Sequence, residues 1–76
     1  MFDNEYIGSL KRFIGNIEIV SRNNKLQVYD NVDIIYILEQ REDEFVISLN
    51  ERGNILEYCK IRNKELAKLY FAIFVK

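Results

Sequence analysis

The sequence predicts an α+β domain: a single antiparallel sheet of four to five strands, with an N-terminal and a C-terminal helix packed on one face. Between Asp33 and Ile61 the chain carries three apolar runs, Ile34 to Leu38, Phe45 to Leu49 and Ile55 to Ile61. The turn-like clusters Gln40 to Glu44 and Asn50 to Asn54 separate them, as in a meander. On either side of this stretch, apolar residues recur at three- and four-residue spacing, the period of helices that need a surface to cover.

Asp3 or Asn4 can cap a first helix over residues 4 to 14, with Tyr6, Ile7, Leu10, Phe13 and Ile14 on one side. Gly15 and Asn16 supply the stop, since both tolerate the left-handed conformation that ends helices. Gly8 costs that helix about 1 kcal/mol relative to Ala. Ile17, Ile19 and Ser21 alternate with Glu18, Val20 and Arg22, and Leu26 and Val28 continue the alternation beyond Asn23 and Asn24. A two-residue Asn-Asn link suits a hairpin turn that needs positive φ.

Within the meander, Ile34, Tyr36 and Leu38 share one face and Ile35 and Ile37 the other, which predicts a central strand apolar on both sides. Phe45, Ile47 and Leu49 oppose Val46, Ser48 and Asn50, the pattern of a half-buried strand. Arg41, Glu42 and Asp43 make the turn between these strands, and Gly53 and Asn54 close the next. Leu56 and Tyr58 alternate with Glu57 and Lys60 in the last strand. After Asn63, a reasonable cap, the residues Leu66, Leu69, Tyr70, Ile73 and Phe74 form the stripe expected to face the core, widened by Ala67 and Phe71. The run FAIFVK has no C-cap, an ending that predicts a longer natural polypeptide.

Seventy-six residues make one domain, spanning 1 to 76, near the lower limit for a self-sufficient core. Ten aromatics, five Tyr and five Phe, compensate by removing large areas from water. Cys59 is the only cysteine, so no internal disulfide can form and a reducing compartment fits. Eleven basic against twelve acidic residues argue against general phosphate-backbone binding. MFDNEYIGSL is unlike a signal peptide and no apolar run approaches a membrane span, so the expected location is cytoplasmic.

Without histidine, the commonest general base is missing, and no cofactor or metal is expected. Ser9, Ser21 and Ser48 have no partner base, and Cys59 is expected to be a buried structural thiol. Glu39, Glu42, Asp43 and Glu44 lack the spacing and the glycine of a calcium loop. Lys60, Arg62, Lys64 and Lys68, with Tyr58, offer a nucleic-acid contact or an ordinary charged helix face. Asp30, Asp33, Glu39, Glu42, Asp43 and Glu44, with Glu51, lie in or beside the sheet's loops. They form either a carboxylate rim that docks to a basic groove or solvated charges that guard sheet edges.

The run Asp33, Tyr36, Glu44-Phe45-Val46-Ile47 and Glu51-Arg52-Gly53, followed by a strand and a helix opened by Glu65 and Ala67, carries a family likeness. It resembles small immunity proteins of bacterial polymorphic-toxin systems of the contact-dependent inhibition type, over residues 33 to 75. Ile61 stands where those proteins often end the strand in an aromatic residue, and the helix lacks the cysteine often found after the alanine. The resemblance implies a protein that binds and neutralises a cognate toxin without a reaction of its own. Glu51 and Arg52 would order the turn, and the acidic rim would meet the toxin if that toxin is a nuclease.

The expected function is therefore stoichiometric inhibition of a protein partner by a non-enzyme. Two rivals use the same residues differently: a phage-encoded anti-defence protein mimicking nucleic acid with these carboxylates, and a small nucleic-acid-binding regulator using the basic group. Monomer and homodimer are both open, since Tyr70, Phe71, Phe74 and Val75 exceed what one helix face needs. The strand Lys25 to Tyr29 is expected to be an edge able to pair with a copy of itself.

Overall fold

A computed structural model describes residues 2 to 15 and 17 to 76. Its elements are α1 (Asn4–Ile14), β1 (Glu18–Arg22), β2 (Lys25–Tyr29), β3 (Ile34–Arg41), β4 (Glu44–Glu51), β5 (Asn54–Ile61) and α2 (Lys64–Val75). The five strands pair antiparallel in sequence order, so the α+β meander is as predicted. Asp3 caps α1 by accepting from the Tyr6 amide at 2.8 Å, and Gly15 ends it at φ 107°. Asn16, expected to share that stop, lies outside the described residues. Asn63 caps α2 by accepting from the Leu66 amide at 2.9 Å.

Alternation along the strands sets the core. Leu26, Leu38, Ile47 and Cys59 stand opposite one another across β2 to β5 on the face that the helices cover. Val28 and Phe45 join them from neighbouring rungs, and Phe2, Leu10, Ala67, Phe71 and Val75 close the cluster from above. Asn23 takes positive φ at the first hairpin, as do Glu42, Arg52 and Gly53 at the other two-residue turns. Arg41 belongs to β3 rather than to its turn. Among the described residues no helix is long and apolar enough to cross a membrane.

Three expectations need correction. The stripe of α2 is rotated: Ala67, Phe71 and Val75 face the core, while Leu66, Leu69, Tyr70 and Ile73 are 47, 63, 55 and 70 % exposed. From Leu69 to Val75 the helix carries no charge, so its sequence does not phase it; small Ala67 lets the backbone approach the sheet and Phe71 fills the space beyond. Lys25–Tyr29 is an interior strand between β1 and β3, and the edges are β1 and β5. β4 is buried on both sides, with Val46 and Ser48 as inaccessible as Phe45 and Ile47.

The second burial of β4 needs no third layer. Arg41 on β3 bonds Glu57 on β5 at 2.7 Å and Glu39 at 3.0 Å, and the register places Val46 on the strand it crosses. The stems of such long side chains shield the apolar centre of the open face while their charges stay in water. Phe71→Ala should therefore cost about 3 to 5 kcal/mol in urea unfolding, against under about 1 kcal/mol for Leu69→Ala. Equal losses would contradict the helix phase.

Candidate partner-binding surface

A meander with strands in sequence order has two ends. One holds the β1–β2 and β3–β4 turns and the passage into α2; the other holds the β2–β3 loop, the β4–β5 turn and the start of β1. Of the six predicted contact residues, Glu39, Glu42, Asp43 and Glu44 fall at the first end, and Asp30 and Asp33 at the second. The eight residues of β3 hold the two groups about 25 Å apart. They do not share one rim.

At the first end the acids are mixed with cations. Arg22, Lys25, Glu39, Val46 and Lys60 form one rung of the open face. The hydrogen bonds that Arg41 donates to Glu57 and then to Glu39 raise the pKa of its guanidinium. Little net negative potential can build there.

The second end holds Arg52 in its β4–β5 turn, but among the described residues its acids are not tied into ion pairs. Glu18 is paired with Tyr29 beside Asp30, and Glu51 with Ile34 beside Asp33, so Glu51, expected in the acidic rim, and Glu18, which was not, join the two aspartates there. Among the described residues, none of these four makes an ion pair. Burial, and then the charge of Asp30, raises the pKa of the Tyr36 phenol. The loop that carries the acids is held by its own backbone: Asn31 Oδ1 accepts from the Asp33 and Ile34 amides at 2.8 and 3.1 Å. Asp30 N–H donates to the Ile34 carbonyl at 3.1 Å, and Arg52 N–H to the Asp33 carbonyl at 2.8 Å.

At the tip of that fixed loop Val32 is 93 % exposed. Beside it, Ile17, Glu18 and Tyr29 help line a hollow of about 440 Å³. Sequence reasoning overlooked Val32 and Glu18. The one available signal was an apolar residue inside the polar run Asp30-Asn31-Val32-Asp33.

The other candidates do not assemble. Lys60 lies on the open face, whereas Tyr58 packs toward α2 with its ring 5.0 Å from that of Phe74. Lys68 pairs with Glu65 at 3.2 Å and lies 4.7 Å from the centre of the Tyr6 ring. Cys59 is half-buried on the helix face rather than fully enclosed. Among the described residues, no three acidic or cysteine side chains converge as a metal site would require. A groove of about 650 Å³ runs between α1 and α2, with Phe13, Leu69 and Ile73 on its walls.

No family model matches the chain, and neither characterised proteins nor solved structures offer a similar one. The surface thus has to be judged on its own chemistry.

Tyr6 ties the two helices together. Its hydroxyl donates to the Lys68 carbonyl at 3.2 Å, and burial, then the nearby Glu65 charge, push its pKa well above the ordinary tyrosine value. The unfolded chain gives up that proton from about pH 10, while the folded chain keeps it, so stability should decline as pH rises through that range. Tyr6→Phe should cost about 1 kcal/mol at neutral pH and flatten the alkaline decline, read by denaturant unfolding at several pH values. An unchanged alkaline slope would remove Tyr6 from the account.

Proposed function

We propose that the protein is an immunity protein, neutralising a cognate bacterial toxin by binding it one to one, and that it performs no reaction itself. The observation that carries this reading is the β2–β3 end: Val32 projects from a hydrogen-bonded loop, with Glu18, Asp30, Asp33 and Glu51 around it free of intramolecular ion pairs among the described residues. An exposed apolar anchor on a preorganised loop loses little entropy on docking, and a surrounding acidic field steers a basic partner. The complementary target is a protein groove lined by Lys and Arg, such as the substrate cleft of a nuclease.

The nucleic-acid regulator has less in its favour, because Lys60 and Lys68 point to different parts of the molecule and Lys68 is already engaged with Glu65. Co-purification with the product of the neighbouring reading frame, followed by calorimetry, tests the proposal. The expected result is a one-to-one complex whose affinity falls about 30-fold with Val32→Asp. Reversing Asp30 and Asp33 to Lys should slow association about tenfold or more at low salt. A harmless neighbour that forms no complex would sink the reading.

A further inference from the structure

The two edges of the sheet differ. β1 is five residues long and polar at Glu18, Ser21 and Arg22, which gives another strand little to pair with. β5 is eight residues long, with Ile55, Leu56 and Tyr58 exposed by 59, 55 and 54 %. It presents an outward row of backbone N–H and C=O groups beside apolar side chains, guarded against unmatched strands by Glu57, Lys60 and a bulge. On the helix face, α2 rides over β4 and β5. Leu66, Tyr70 and Phe74 fall along one flank of it at four-residue spacing. Since the Phe74 ring packs against that of Tyr58 at a tilt of 55°, edge and flank form one continuous apolar surface.

We infer that a second copy of the chain closes this surface: β5 pairs antiparallel with β5 of the copy about a two-fold axis, and the two sheets continue into one. The charge order along β5 selects self over other partners. A register shift between Ile47 and Ser48 leaves Tyr58 as an extra residue, so that Glu57 opposite Ser48 and Lys60 opposite Val46 lie on the same open face. A copy centred between Tyr58 and Cys59 sets each Glu57 against the other chain's Lys60 and each Leu56 against the other chain's Ile61. Opposite charges meet twice on one face, and apolar pairs meet twice on the other. Without the bulge, the same register would oppose side chains from different faces.

The dimensions agree. Strands pair about 4.8 Å apart and α2 sits above β4 and β5, so the two α2 helices face each other at roughly 10 to 14 Å, within reach of Leu66 and Tyr70. Leu56, Tyr58, Leu66 and Tyr70, each about half exposed, contribute on the order of 400 Å². The paired edges, Ile55 and the charged side chains bring each subunit toward the roughly 800 Å² of a stable interface. The acidic end stays open at the strand ends.

Sedimentation of the chain alone from about 1 to 100 μM tests this without any other protein. The wild type should be dimeric over most of that range. Glu57→Lys and Lys60→Glu should each weaken self-association about tenfold or more, because like charges then meet twice. An equimolar mixture of the two variants should recover the dimer, since both ion pairs reappear between unlike chains. Circular dichroism confirms that each variant is folded, which matters because Glu57→Lys also loses Arg41 as a partner. A wild type monomeric throughout, or a mixture that stays as monomeric as its components, overturns the inference. Either result would leave the toxin-binding proposal standing, because that rests on the other surface.

Discussion

One sheet face carries most of the buried apolar residues of this short chain, and the structure depends on how tightly α2 can sit on it. The helix meets β4 and β5 through Ala67, Phe71 and Val75, with Leu38 and Ile47 of the central strands in the same cluster. A methyl at position 67 lets the helix axis come close, and a ring at 71 occupies the volume left over. α1 is then located less by the sheet than by α2, through the Tyr6 hydroxyl on Lys68 and the Lys68 ammonium over the Tyr6 ring. Loosening α2 would free both helices at once.

The opposite face shows how a two-layer domain manages without a third. Ile37, Val46 and Ser48 are 5, 0 and 4 % exposed there, beneath long charged side chains instead of a helix. Arg41 reaches from β3 to β5 and ties Glu39 and Glu57 into one group. Ion pairs so exposed contribute little energy of their own. Their aliphatic stems keep water from the central strands, and their charges discourage another sheet from stacking on that side.

Much of this was written in the sequence, for local reasons. Asp3, Gly15 and Asn63 mark helix ends because capping depends on residues a few positions away, and the alternation in β2 declares the buried face directly. The phase of α2 was hidden, since nearly every residue after Lys68 is apolar and only the shape of the sheet chooses among them. The acidic rim failed for a different reason: Asp33 and Glu42 are close in sequence, but the rigid strand between them carries them to opposite ends. Val32 and Glu18 entered the candidate surface only once Tyr29 was seen paired with Glu18, a contact between residues eleven positions apart.

Three of the four links between consecutive strands are the shortest that a hairpin allows, and only residues 30 to 33 have length to spare. Lengthening any of the short ones would shift a register and turn core residues toward water. The remaining loop can change its exposed side chains, Val32 above all, without shifting a strand register, so long as Asn31 holds its turn. What this end of the sheet presents to solvent can therefore vary at a few loop positions, with the scaffold unchanged.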